Sequence, residues 1–266
     1  MKRKTIFWFV LITTMLFFII SNFSASASTL DAIKKQGKLL AGVKYDTVPF
    51  GLVNEKNEVV GFDIDLVKEI AKAIGVKVEL VSVTSPTRIP LLVGGNVDLV
   101  AASMTHTVER DKTIDFSITY YVGGQSLLVR KDSPIKGVKD LEGKVVAVQQ
   151  GTTLEQNIKK LAPGAKILAF KDYSSAWLAV QQGRADAFTG SHHILLGFAK
   201  DNKDYRLAGG KFSVEPFAIG VRQGDSEMRD LINRVLQDLW KTGKYHEIYK
   251  KWFGTAPDDF EMEIWP

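Results

Sequence analysis

Gly95-Asn96-Val97-Asp98-Leu99-Val100-Ala101-Ala102-Ser103 and Gly183-Arg184-Ala185-Asp186-Ala187-Phe188-Thr189-Gly190-Ser191 are the two stretches whose reading decides the fold. Each opens on glycine, places an aspartate fourth, runs on through small and apolar residues and ends on serine. Apart from Asp98, residues 97–102 are apolar, which suits a strand buried on both faces, and 186–189 read as its counterpart. A helix is predicted before each stretch, over 88–93 in the first case and 173–182 in the second. The preceding strands fall at 76–83 and 165–170, so the order helix, strand, helix, strand occurs twice.

Outward from these stretches the same alternation continues. A short helix over 30–36 follows the capping residues Ser28 and Thr29, and 39–43 reads as a strand. Asp63 is a plausible N-cap for a helix in which Ile64, Val67, Ile70, Ala71 and Ile74 recur at helical spacing, with Gly75 as its left-handed stop. A further helix is predicted over 153–161. Strands alternating with helices imply a mostly parallel sheet, and two repeats imply two α/β lobes. Ligands of open α/β sheets sit beyond the carboxyl ends of the strands, so two facing lobes would enclose a cleft with Ser103 and Ser191 at its walls. Residues 215–221 read as extended. Leu231, Ile232, Val235, Leu236 and Leu239 then mark an amphipathic helix over 228–240, and a last helix covers 244–252. If the chain leaves one lobe near Tyr121 and returns near Val221, two links form a hinge. The expected organisation is therefore 28–121 plus 222–266 in the first lobe and 122–221 in the second.

Composition narrows the chemistry. The 266 residues are 45% hydrophobic and 24% charged, an ordinary globular balance. The absence of cysteine excludes disulfides, thiolate metal sites, thiol nucleophiles and a lipid-accepting cysteine. Lys2, Arg3 and Lys4 precede an uncharged stretch to Ala27 that is apolar from Ile6 to Ile20 except at Thr13 and Thr14, and Ala25-Ser26-Ala27 supplies small residues for cleavage. This is a signal-peptide pattern, with residues 1–27 removed and the rest exported. The remainder carries 32 basic and 30 acidic residues, a net of +2 against +5 for the whole chain, and so lacks the footprint of a nucleic-acid binder. The four histidines have no metal-ligand spacing, and no metal or cofactor is expected.

Several fragments, in order, resemble one family. They are Pro49-Phe50, Gly61-Phe62-Asp63-Ile64-Asp65-Leu66, Val108-Glu109-Arg110, Asp115-Phe116-Ser117, Gly151-Thr152-Thr153 and Gly183-Arg184-Ala185-Asp186-Ala187. They resemble the extracytoplasmic solute-binding proteins for polar amino acids that serve ABC importers, over nearly the whole mature chain. Within that family, Thr84-Ser85-Pro86-Thr87-Arg88-Ile89-Pro90-Leu91-Leu92 is similar to the glutamate/aspartate-binding branch. The resemblance implies a two-lobed type II periplasmic-binding-protein fold that closes about its hinge on one small molecule. It also implies a monomer that partners the membrane permease subunits of an importer.

The site follows residue by residue. Arg110 matches the family arginine that pairs with the ligand α-carboxylate, a partner suited to a guanidinium fork. Ser103 and Thr105 would add hydroxyl and backbone donors, and Thr153 matches a residue used at a helix start, where free N–H groups suit an anion. Arg88 and Lys44 match positions that bring positive charge to a second carboxylate, and Tyr173 lies where the acidic branch has a ring near the ligand. Aromatics that sandwich the ligand in glutamine and basic-amino-acid binders fall here on Thr47 and Ser85. An acidic amino acid is thus the expected ligand.

One position departs from the pattern. The family binds the ligand ammonium with an aspartate where this chain has Ser191. A hydroxyl can accept a hydrogen bond but does not offset the burial of a cation. Either another carboxylate reaches in, or the ligand is an acidic compound without a primary amine. An enzyme on the same architecture, similar to cyclohexadienyl dehydratase, is the alternative function, because fold does not fix chemistry. A receptor sensor domain fits less well, since no span or signalling module follows.

Overall fold

The computed structural model describes residues 29–200, 202–257 and 260–264, so the expected leader lies outside the described residues. The chain begins with helix α1 (Thr29–Gln36) and strand β1 (Lys38–Val43). A small antiparallel sheet of β2 (Asp46–Thr47), β3 (Gly51–Val53) and β4 (Val59–Val60) comes next. Helix α2 (Phe62–Ile74), strand β5 (Lys77–Ser82), helix α3 (Arg88–Val93), strand β6 (Leu99–Ala101), helix α4 (Val108–Asp111) and strand β7 (Ile114–Gly123) complete the outward run. The second lobe holds β8 (Gln125–Arg130), β9 (Val145–Gln149), α5 (Thr153–Leu161), β10 (Lys166–Phe170), α6 (Tyr173–Gln181), β11 (Ala187–Ser191), α7 (His192–Ala199) and β12 (Tyr205–Ala208). Strand β13 (Glu215–Arg222) leads back to helices α8 (Ser226–Lys241) and α9 (Lys244–Phe253).

Two five-stranded sheets result, in the orders β5-β1-β6-β13-β7 and β10-β9-β11-β8-β12. The repeated stretches supply β6 and β11, the central strands. Their aspartates do the same work in both lobes. Asp98 exchanges two hydrogen bonds with Leu40, its amide donating to the Leu40 carbonyl at 2.7 Å and its carboxylate accepting from the Leu40 amide at 2.9 Å. Asp186 does the same with Val145, at 2.8 Å in each case. The fourth-place aspartate therefore ties each central strand to the start of its neighbour. Gly95 and Gly183 both sit at φ +72°, a left-handed turn that a side chain would strain, and this turn ends the preceding helix.

The sheets are mixed, a correction to the mostly parallel expectation. Strands β1, β5 and β6 are parallel, as are β9, β10 and β11, but β13 runs antiparallel to β6 and β7, and β8 antiparallel to β11 and β12. Helix–strand alternation governs only the βα units. Strand β7 carries the chain out of the first sheet and β13 brings it back, while β8 brings it into the second sheet and β12 carries it out, so within each sheet the outgoing and returning strands run antiparallel. Tyr121 and Val221, the expected crossing points, lie on β7 and β13, which pair from Glu215–Gly123 to Arg222–Ile114. The change of sheet comes after Gly123 and before Glu215.

Helix α2 buries Ile64, Leu66, Val67, Ile70 and Ala71 against the first sheet and stops at Gly75, whose amide donates to the Ala71 and Lys72 carbonyls. Its N-cap is Gly61 and not Asp63. Gly61 has φ +149°, and a Cβ there would run into the Phe50 carbonyl. This frees Asp63 for other use, inside the helix and fully buried. Phe50, Phe62, Tyr121, Phe217 and Phe253 pack edge-to-face and stacked where the chain crosses between lobes, with centroids 4.9–6.4 Å apart.

Candidate functional site

The carboxyl ends of β1, β6, β9 and β11 converge on a small, partly open cavity. Lys44, Arg88, Ser103, Thr105, Thr153, Tyr173 and Ser191 line it, together with Ser85, Ala102, Thr152, Leu154 and Phe217. Arg110 stands beside this lining and is not part of it. The lobes meet directly. Arg110 donates through Nη2 to the Gly151 carbonyl (3.3 Å), the Ser85 hydroxyl donates to Gln149 Oε1 (2.9 Å), and the Tyr173 amide donates to Asp46 Oδ2 (3.0 Å).

The first lobe contributes the cations. Arg88 opens helix α3 and is 3% exposed, donating through Nη1 to the Ala102 carbonyl at 2.8 Å, while its buried Nε has no partner. Burial, and then the nearby Arg110 charge, lower its pKa to about 9. Arg110 is held by helix α4, whose cap Thr107 accepts from the Arg110 amide, and its Nη1 donates to the Thr105 carbonyl at 2.6 Å. Burial lowers the Arg110 pKa against an upward pull from Glu215. Lys44, just past β1, is 1% exposed. Its Nζ lies 3.0 Å from Ser85 Oγ, 3.4 Å from Gln149 Oε1 and 5.8 Å from the Tyr173 ring centroid. Desolvation, reinforced by Arg88, brings its pKa down to about 7 despite Asp46, Asp172 and Asp63.

Ser103 occupies a left-handed turn at φ +47°, unusual for a residue with a side chain. The turn is fixed from behind. Asp63 Oδ2 accepts the Ser103 amide at 2.9 Å, and Oδ1 accepts the Tyr120 hydroxyl at 2.9 Å. Burial raises the Asp63 pKa to about 7 against these hydrogen bonds.

The second lobe contributes neutral groups. Helix α5 begins at Thr153 with Thr152 as cap, so its first amides face the cleft. Ser191 ends β11, is 1% exposed, and its hydroxyl has no partner. Gln149 is oriented without ambiguity. Its Nε2 donates to the Lys171 carbonyl at 3.1 Å, which leaves Oε1 to receive Lys44 and Ser85. Thr105 does not offer the cleft the hydroxyl donor expected of it, because its proton and that of Thr153 are both given to Glu215 Oε2 at 2.7 Å. His192 and His193 sit on helix α7 with Ser126 and Tyr121 as partners, and burial and Lys211 lower the His192 pKa.

Residues 39–255 match the family model of bacterial extracellular solute-binding proteins, family 3, across most of the chain and all of the cleft. The chain belongs to that family. Among relatives of this binding protein, the ABC transporter glutamine-binding protein GlnH of Bacillus subtilis is 46% identical over 234 residues, covering 86% of each chain. The glutamate/aspartate import solute-binding protein of Salmonella typhimurium is 33% identical over 243 residues, covering 86% of this chain and 80% of the relative. In structure, an ancestral arginine-binding protein bound to glutamine superimposes with a TM-score of 0.80 at 42% identity, covering 82% of this chain and 99% of that one. An ancestral amino acid-binding protein described as a precursor of cyclohexadienyl dehydratase gives 0.80 at 41%, covering 85% and 100%. The matches thus lean to glutamine over the acidic branch suggested by residues 84–92. Among the described residues no helix is long and apolar enough to cross a membrane.

Sequence reasoning passed over three polar residues of this family-3 protein. Gln149, Asp63 and Glu215 are all buried within one hydrogen bond of the cavity lining. Glu215 had a visible signal, an acid opening an otherwise apolar buried strand.

Proposed function

We propose that this protein captures a polar α-amino acid between its lobes and delivers it to the membrane subunits of an ABC importer, with glutamine as first ligand and glutamate as second. One observation carries the reading. Arg88 and Lys44 line, and Arg110 flanks, one cleft whose described lining contains no carboxylate, a setting for the carboxyl and carbonyl oxygens of a ligand. The α-carboxylate would meet Arg110, Arg88 and the first amides of α5. The side-chain oxygen would meet Lys44. Two features favour the amide. The B. subtilis relative at 46% identity is named for glutamine, and Ser85 on the cavity lining spends its proton on Gln149 Oε1, which leaves an oxygen lone pair as acceptor for a side-chain NH2. Glutamate is favoured by the excess of cations, and amine-free dicarboxylates share that argument.

Calorimetry on the mature protein with glutamine, glutamate, aspartate, arginine and 2-oxoglutarate tests the proposal. Tightest binding of glutamine, followed by glutamate, is expected. Arginine binding with no response to either would overturn it. A dehydratase-like reading has one observation in its favour, since Lys44 near pH 7 sits in the range of a proton-transfer group. Recovery of every ligand unchanged after prolonged incubation would exclude it.

A further inference from the structure

Glu215 is 3% exposed, and four side chains donate to it. Ser213 Oγ and Asn157 Nδ2 reach Oε1 at 2.8 and 3.0 Å, and Thr105 Oγ1 and Thr153 Oγ1 both reach Oε2 at 2.7 Å. A threonine hydroxyl has one proton and two lone pairs, and a carboxylate oxygen can only accept. Each threonine therefore spends its proton on Glu215, and the 3.3 Å contact between the two hydroxyl oxygens has no proton left to share. What they turn toward the cavity they both line is lone pairs. Ser191 adds a third hydroxyl, buried and without a partner, on the same lining.

Three neutral acceptors around one space, with a negative charge directly behind two of them, match a primary ammonium and its three N–H groups. We propose that Glu215 is a positioning residue for the ligand ammonium: it turns Thr105 and Thr153 into acceptors and supplies, through them, the negative charge that position 191 lacks. This rests on the amino-acid reading above and deepens it. It also chooses between the alternatives that Ser191 left open in the sequence, because a carboxylate does reach the site, one hydrogen bond removed. A charge on the far side of two hydroxyls still acts on the cavity, since a carboxylate 3% exposed is screened far less than one at the surface.

The test is a rescue. Glu215→Gln keeps the shape and removes the charge, and it forces an NH2 donor on one side. It is expected to weaken binding of glutamine and glutamate tenfold or more in calorimetry. Adding Ser191→Asp, which returns a carboxylate to the ammonium side of the cleft, is expected to bring affinity back to within threefold of wild type. A loss that Ser191→Asp leaves in place means Glu215 only holds the lobes together, and it overturns the proposal, as does the absence of any loss. If Glu215→Gln gives no cooperative melting transition, Thr105→Val carries the same test with the same expected loss and recovery. Wild-type protein that binds neither amino acid refutes the proposed function and the ammonium site with it. Wild-type binding with no recovery refutes the ammonium site alone.

Discussion

The two lobes enter their central strands alike and leave them differently. At the entry, Asp98 and Asp186 tie β6 and β11 to their neighbours with the same pair of bonds. At the exit, the first lobe presents Arg88, Arg110 and Lys44, backed by a buried Asp63, while the second presents hydroxyls, a glutamine and the start of a helix. The entry is a folding signal, repeated because each sheet needs it. The exit is where ligand chemistry is written, and there the lobes divide the work between charge and hydrogen bonding.

The sharpest test of that division is Arg110→Ala. It removes the first lobe's anchor for the α-carboxylate, and loss of one partner of a desolvated charge pair costs about 2–5 kcal/mol. Calorimetry should find no measurable binding of any ligand, whereas Arg88→Ala should lower affinity for glutamate more than for glutamine. If Arg110→Ala binds within twofold of wild type, the cations are not the anchor.

The next effect follows from pH. Lys44 is protonated below its pKa of about 7 and neutral above it, so a carboxylate partner gains an ion pair only on the acidic side. Asp63, also near 7, becomes negative over the same interval and acts in the same direction. Glutamate affinity should fall between pH 6 and 8, by up to about tenfold for one full charge lost at one pH unit past the pKa. Glutamine affinity should change less. Lys44→Met should flatten the glutamate profile, and an unchanged slope in that variant would assign the titration to Asp63.

A smaller contrast concerns stability. Asp98→Ala removes the strand tie together with a 3.6 Å contact to Arg222 at a half-buried site, while Asp186 is exposed. Losses of about 1–3 kcal/mol for the first and under about 1 for the second are expected in urea denaturation. Equal losses would show that the tie alone matters. The smallest effect belongs to Ser191→Asp in the wild-type background. With Glu215 already serving the ammonium, glutamine affinity should rise no more than about tenfold, the scale of one added charge-assisted hydrogen bond. A fall of tenfold or more would point to a ligand without the amine.

Much of the fold is legible along the chain because helix periodicity and glycine stops are local. Helices α3 and α5 fall at the expected 88–93 and 153–161. The antiparallel strands were not legible, since pairing of β13 between β6 and β7 joins segments far apart in sequence. Asp63 looked like a cap because an aspartate ahead of an apolar helical run usually is one, but the backbone at Gly61 had already started the helix. Seven of the eight expected site residues share one cavity, which reflects strand ends being fixed by topology. Glu215 escaped because its partners lie far from it in sequence: Thr105 comes beside it through the bridge to Phe217 within the first lobe, and Thr153 reaches it only from across the cleft.

The position of β13 has a consequence for the order in which the protein takes shape. The five strands of the second sheet span 125–208 without interruption, so that sheet can be completed as soon as its segment is free. The first sheet is severed between β6 and β7 until residues 215–222 arrive to fill the gap. A chain released from its N-terminus onward would thus finish the lobe it began second, and the lobe it began first would wait, with its cation-bearing loops unassembled, for a strand supplied near the end.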